Sequence, residues 1–380
     1  MKRKHTLILL VCALFLVFTV AGCGSKDSSS ASQQSAPAAV AQTPVSAPAK
    51  TAAPVTAPAP APVAAAAPAS TPAPAPAKAS GKVVVYSPSP AGLADKIAAG
   101  FTAKTGIAVE QFQGTTGKIL ARLEAEAANP VADVVILASW PDGQALKDKA
   151  RSYVPENADK MYPTWIDTEN KMYGYSASAV AVLYNTLQVE NLTADWKDLT
   201  NPLYHDLIAI PDPNASGSAK DFITGFINAY GEDAWRTIGG WVSNDIVVPG
   251  ANAAALEAVT TGEKAILVAG VDYNAYSAIA KGEPLGIHYP ASGTVINPRP
   301  AMILETSRNS RNAELFMDYL LSDEAQKLVA NAYLLPGRQD ITTDKRTNVA
   351  DIPQVDSHWD WMEAHSAEIM ERFNALVLEK

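Results

Sequence analysis

The sequence predicts an α/β fold with a parallel sheet. Three observations lead there. Short apolar runs alternate with helical patterns at the spacing of parallel strands. The turns after these runs carry small hydroxyl residues or glycine just before a helix. Within residues 265–295 a carboxylate, two phenols and an amide follow directly on the apolar run Ile266, Leu267, Val268. Open α/β sheets bind ligands at such carboxyl ends.

The elements follow in order. Residues 83–86 are a buried-type strand ending at Ser87-Pro88-Ser89-Pro90. Residues 91–105 are helical, with Leu93, Ile97 and Phe101 on one face. Residues 107–112 form a second strand, and Thr115-Thr116-Gly117 leads into a helix over 118–128. Residues 131–137 are a third strand, after which Ser139-Trp140-Pro141 starts another helix. Residues 171–185 read as extended chain that crosses between lobes. Asn214-Ala215-Ser216-Gly217-Ser218 precedes a helix over 219–230. Residues 232–242 and 252–261 are helical. After the strand at 266–268, Asp272, Tyr273, Asn274 and Tyr276 form a ligand loop. A short helix runs to Lys281 and Gly282 ends it. Residues 285–290 are a strand and 289–296 a second crossing segment. Residues 300–305 are a strand, 310–321 and 322–332 helices, and 359–379 a final amphipathic helix.

The amino terminus has its own logic. Lys2, Arg3 and Lys4 precede a nearly unbroken apolar run over residues 6–20. That is short for a membrane span and suits the hydrophobic region of a signal peptide. Val20-Ala21-Gly22-Cys23 matches the bacterial lipobox, so Cys23 is the expected lipidation site and residues 1–22 the signal peptide. Two or more acyl chains anchor stably where one does not. Cys12 would leave with the signal peptide, so the mature chain has no disulfide and depends on its core. Residues 23–81 hold the lipidated Cys23 and an Ala/Pro-rich linker, with 11 of the 27 prolines from residue 24 onward. Too few large apolar side chains are present there to offset ordering entropy, and such a segment serves as an extended tether. Loss of Lys2, Arg3 and Lys4 takes the net charge from −9 to −12. No basic stripe is present, which excludes nucleic acid as a partner.

Enzyme signatures are missing: there is no HExxH, Walker A, G-x-S-x-G or GxGxxG after a strand. The five histidines are scattered. His358 and His365 fall on a solvated helix face, and His205 sits in a loop. No catalytic residue and no resident cofactor are expected. The turns before the helices offer an anion site instead, because helix N-termini present free N–H groups and a positive dipole end. Their residues are Ser87, Ser89, Thr115, Thr116, Gly117, Ser139, Ser216, Gly217 and Ser218. Trp140 and Ser176 complete the set with Asp272, Tyr273 and Tyr276.

Several segments resemble the type II extracellular solute-binding proteins of ABC importers. They are VVVYSPSP, GTTGKILARLEAE, DVVILAS, VAVLYNTL, IPDPNASGSA, AGVDYNAY, the segment 286–294 and NAELFMDYLLSDEAQKLVANAYLLPGR. The resemblance covers residues 82–340 and is nearest to binders of ferric iron, phosphonates, phosphorylated sugars and polyamines. It implies a two-lobe type II periplasmic-binding-protein fold whose lobes are joined by two crossing segments. The division expected is 82–178 plus 291–380 for lobe 1 and 179–290 for lobe 2. It also implies a monomer that hands a small solute to a membrane permease and an ATPase, at the cell membrane and facing the periplasm or exterior.

The ligand chemistry stays open among three classes. A phosphonate or phosphorylated organic anion suits the Ser, Thr and Gly donors, each charge-assisted bond giving about 1.5–3 kcal/mol, so that no Arg is required. Asp272 would then pair with a ligand amine or hydroxyl. Ferric iron with a synergistic anion suits Tyr273 and Tyr276 as metal ligands, although iron binders of this cluster carry adjacent tyrosines and here Asn274-Ala275 intervenes. A polyamine or carboxylate is the third class.

Overall fold

The computed structural model describes residues 80–379. The expected signal peptide, the Cys23 lipidation site and the linker up to residue 79 lie outside them.

Strands β1 (Lys82–Ser87), β2 (Ala108–Gln113) and β3 (Val134–Ile136) alternate with helices α1 (Ala91–Thr105), α2 (Thr116–Ala125) and α3 (Trp140–Leu146). β1 pairs in parallel with both β2 and β3, as the spacing requires. Helix α1 ends where the sequence places it. Gly106 takes a left-handed φ of 80° and its N–H returns to Thr102 O, a conformation that glycine adopts without steric cost.

The long strand β4 (Tyr173–Asn185) follows, then β5 (Ile208–Ala209), α4 (Gly217–Tyr230), α5 (Glu232–Ser243) and α6 (Asn252–Thr260). Next come β6 (Ile266–Val271), α7 (Asp272–Ile279), β7 (Leu285–His288), β8 (Ile296–Ile303), α8 (Ser310–Leu320), α9 (Asp323–Asn331), β9 (Leu335–Pro336) and α10 (Trp359–Val377). The sheet order is β2-β1-β3-β8-β4-β6-β5, with β7 and β9 also on β4. The sheet is therefore mixed rather than all parallel. β8 runs antiparallel to β3 and to β4, because it enters from the far half of the molecule.

β4 belongs to both halves. Its residues from Tyr173 to Ala179 pair with β8, and those from Val180 onward with β6 and β7. The second crossing segment lies beside it: Val180 N donates to Val295 O, and Thr294 Oγ1 donates to Val180 O at 2.8 Å. The two expected crossings thus meet at Val180.

Cores sit on both faces of each half. Val83, Val85, Val134 and Ile136 pack with Phe101, Phe316 and Val329 from α1, α8 and α9. Val84, Tyr86 and Val135 pack with Ile119 and Trp140 from α2 and α3. A strand covered on both faces must be continuously apolar, which explains the VVVY run. In the second half, Val180, Val182, Ile266 and Val268 pack with Phe222, Phe226 and Trp241. Helix α10 joins this core through Ile369, Met370, Phe373 and Val377. The expectation puts all of residues 291–380 with the first lobe; α10 packs on α3 of that half and also on α4 and α5 of the other, where its apolar stripe is buried.

The expected ligand loop after β6 is absent, because α7 begins at Asp272 itself. The Asp272 carboxylate is fully buried and ion-paired with Arg346, also fully buried. It further accepts Ala179 N–H at 3.2 Å and Tyr289 O–H at 2.9 Å. It therefore joins α7 to β4 beside the crossing point, and to the 340s segment. Removing one partner of a buried pair leaves an uncompensated charge, at about 3–5 kcal/mol. Arg346→Met should lower the unfolding free energy measured in urea by that amount, and Asp272→Asn added to it should recover part of the loss. Equal stability of wild type and Arg346→Met would show that the pair does not hold the crossing.

Candidate functional site

Two pairs of polar residues face one another where β4 meets β8. Ser176 lies opposite Arg299 and Ser178 opposite Asn297. Directly opposed residues of antiparallel strands project to one face, so four polar side chains make a patch. Ser176, Ser178 and Asn297 are fully buried and Arg299 nearly so. Arg299 Nη2 donates to Pro88 O at 3.0 Å, and its guanidinium carbon is 6.0 Å from the centre of the Tyr273 ring. Asn297 Nδ2 donates to Ser218 O at 3.4 Å. Ser176 Oγ, Ser178 Oγ, Asn297 Oδ1 and Arg299 Nε have no hydrogen-bond partner. Among the described residues no carboxylate pairs with Arg299. Such groups are costly unless something satisfies them. The patch therefore offers a cation and an N–H donor, one carbonyl acceptor and two hydroxyls that act as either.

Arg299, Asn297 and Ser178 are not among the sequence-derived candidates. Their signal is nonetheless there: INPRPAMI places Asn297 and Arg299 at alternate positions of an otherwise apolar strand, and Ser176 and Ser178 alternate likewise in β4.

The expected donor turns do converge, but they satisfy one another. Thr115 caps α2, and Thr116 Oγ1 accepts Ala138 N–H at 3.1 Å. A Cβ on Gly117 would lie 3.2 Å from Asn214 O. A Cβ on Gly217 would lie 3.0 Å from both Ser139 Cβ and Thr116 Oγ1, so the starts of α2, α3 and α4 touch and glycine is needed there. Ser216 caps α4, and Ser216 and Ser218 both bond to Asn252. Ser87 Oγ donates to Ser89 Oγ, which meets Tyr175 OH at 2.6 Å. These two serines flank Pro88 beside Arg299.

The start of α3 does hold an acidic group, and it is the protein's own. Asp221, fully buried on α4, accepts Ser139 Oγ–H at 2.6 Å and Trp140 N–H at 3.3 Å. Its neighbour Lys220 is ion-paired with Asp142 of α3. Burial pushes the Asp221 carboxyl well above the usual carboxylate range, and Asp142 adds to this.

Asp272 is closed inside the Arg346 pair. Tyr276 OH is 3.1 Å from Thr347 Oγ1 and accepts Thr347 N–H, and its ring stacks on Tyr333. Tyr273 is the member of the trio at the patch. It also lines a cavity of about 580 Å³ with Lys96, Lys281 and Lys345 and no acidic side chain. Burial raises its phenol pKa. Trp140 takes no part in the patch and lines a groove with the start of α10.

A family profile described as bacterial extracellular solute-binding protein matches residues 129–363. An uncharacterized protein of Haemophilus influenzae is 29% identical over 233 residues, which are 56% of this chain and 65% of that protein. Iron uptake protein A1 of Synechocystis sp. is 26% identical, over 60% of this chain and 68% of its own. A putative 2-aminoethylphosphonate-binding periplasmic protein of Salmonella paratyphi A is 27% identical, over 62% and 71%. Among solved structures, the periplasmic binding protein AfuA of Actinobacillus pleuropneumoniae, with fructose-6-phosphate bound, superposes with a TM-score of 0.71 at 22% identity, over 78% of this chain and 99% of that one.

The Asp221 contact generates a pH prediction. A carboxyl whose folded pKa is raised keeps a proton that the unfolded chain has released. Stability therefore falls as pH rises from the unfolded pKa to the folded one, by about 1.4 kcal/mol for each pH unit crossed. Asp221→Asn should remove this slope. Thermal melts from acid to neutral pH should show the wild type losing stability relative to the variant as pH rises, and parallel curves would refute the assignment.

Proposed function

The chain belongs to the bacterial extracellular solute-binding proteins, and from that premise we propose that it captures a small organic anion bearing a phosphonate or phosphate group for an ABC importer. The observation that carries this reading is the buried, unpaired guanidinium of Arg299 beside the free acceptor Asn297 Oδ1. A phosphorus oxyanion accepts from Arg299 and from the serine hydroxyls, and charge-assisted bonds of this kind are the strong ones. Asn297 Oδ1 asks for a hydroxyl or amine on the same solute. The all-lysine charge of the adjoining cavity favours an anion at the approach, since charge of one sign in a cleft raises the local concentration of its counter-ion.

The solute would lie at the β4–β8 crossing, with lobes 82–178 plus 291–380 and 179–290 closing on it and α10 moving with the second. A permease and an ATPase would receive the solute, and lipid on Cys23 would hold the protein at the membrane. Ferric iron fits less well: Asp272 is neutralised by Arg346, Tyr276 is bonded internally, and burial works against ionisation of Tyr273.

Calorimetric titration with 2-aminoethylphosphonate tests the reading. Arg299→Met should weaken binding from about tenfold to more than a hundredfold, the equivalent of about 1.5–3 kcal/mol. Tyr273→Phe should cost about tenfold or less. If instead the protein takes iron from ferric citrate with a visible charge-transfer band that Tyr273→Phe removes, the anion reading is wrong.

Attachment has its own test. Cys23→Ser should move the protein from the membrane fraction to the soluble fraction, and retention of the variant would mean that the apolar run 6–20 is an uncleaved span.

A further inference from the structure

We propose a second binding site, for a neutral saccharide, in the groove between α3 and the start of α10. The groove has a volume of about 790 Å³, within the range of small-molecule sites. Three indoles line it: Trp140, Trp359 and Trp361. Trp140 is buried in the first half of the molecule, and Trp359 packs against cores of both halves. Trp361 stacks on His365 at 4.2 Å, which fixes its plane. The platform is thus held rigidly before any ligand arrives.

The polar groups select the guest. Gln144 Nε2 donates to Asp360 Oδ1 at 2.5 Å, which leaves Gln144 Oε1 as a buried acceptor without a partner. A hydroxyl donor satisfies it. An anion has no free cation to meet, because Lys147 is held by Glu169 at 2.8 Å and by Asp167 at 3.6 Å. A cation finds the two carboxylates of the wall already engaged, Asp167 by Lys147 and the N–H groups of Glu169 and Lys171, and Asp360 by Gln144 Nε2. What remains is a neutral, hydroxyl-rich molecule with an apolar face. A pyranose ring has both: its C–H face carries weak positive charge that suits the negative face of an indole, and its rim supplies hydroxyls. Trp140, which the solute patch does not use, thereby acquires a role. None of these groups belongs to the β4–β8 patch.

The test uses the full chain and follows the indole N–H resonances of its seven tryptophans during titration with maltose, cellobiose and N-acetylglucosamine. At least one sugar should shift Trp140, Trp359 and Trp361 on a single isotherm, with a Kd of about 1 mM or tighter, and leave Trp165, Trp196, Trp235 and Trp241 in place. Trp361→Ala should weaken that sugar about tenfold or more. Gln144→Leu should weaken it about tenfold and leave the 2-aminoethylphosphonate isotherm unchanged. The proposal is overturned if none of the three sugars moves the three indoles. It is equally overturned if choline moves them instead, which would mark a cation site, or if Gln144→Leu abolishes both isotherms, which would make the groove part of the solute patch.

Discussion

One strand sets the terms for the molecule. β4 is shared by two half-sheets, so its backbone has to satisfy β8 and β9 at one end and β6 and β7 at the other. Almost all of its residues are buried. A strand so enclosed favours apolar or very small side chains, and that is its composition, with Ser176, Ser178 and, at its end, Asn185 as the polar members. Because the second crossing segment is tied to the same strand at Val180, any solute held at Ser176, Ser178, Asn297 and Arg299 is held by the joint itself. Binding there acts on the element that relates the two halves, and no separate device has to carry the signal.

Buried ionisable groups near that joint divide the labour. Asp272 is matched by Arg346, and Asp221 is received by Ser139 and the backbone of α3. Arg299 has a carbonyl oxygen and no anion. In a medium where an unpaired charge costs several kcal/mol, the two partnered carboxyls fasten elements to one another, and the unmatched guanidinium is the group that the proposed function gives to a ligand. The same contrast explains why the starts of α2, α3 and α4 do not need a phosphate, although each has the free N–H groups that bind one. Serine and threonine caps and Asp221 already serve them, and they pack so closely that a Cβ on Gly217 would press on Ser139 and Thr116.

Local signals carry most of the fold. Helix α1 is readable to its end residues because its apolar face, Leu93, Ile97 and Phe101, and its terminal Gly106 are all local. The parallel β1–β3 region is readable from spacing alone. What the sequence conceals is long-range. Asp272 looks like a free carboxylate at a strand end until Arg346, seventy-four positions on, is seen to occupy it. Helix α10 carries an amphipathic stripe that does not say which half will cover it. Arg299 is hidden for a related reason: flanking prolines make its segment look like a plain crossing. The polar alternation of 297 and 299 becomes meaningful only once it is laid against 176 and 178.

The likeness to both iron and phosphosugar binders is no contradiction. A fold fixes where a solute sits, and a few side chains fix what it is. In the proposed function that position is the β4–β8 crossing, and Arg299 with the neighbours of Tyr273 decides the chemistry. Burial raises the Tyr273 phenol pKa although Arg299 pulls it down, and among the described residues no group of acidic side chains stands ready to share a metal with it, so it is poorly placed to become a phenolate. The same phenol serves well as a neutral wall for an anion that the guanidinium holds. A ferric site on this scaffold would need at least the release of Asp272 from Arg346, and with it the loss of the pair that fastens α7 to the crossing strand. Stability and ligand choice are thus coupled through one carboxylate, which places the change of cargo several compensating substitutions away.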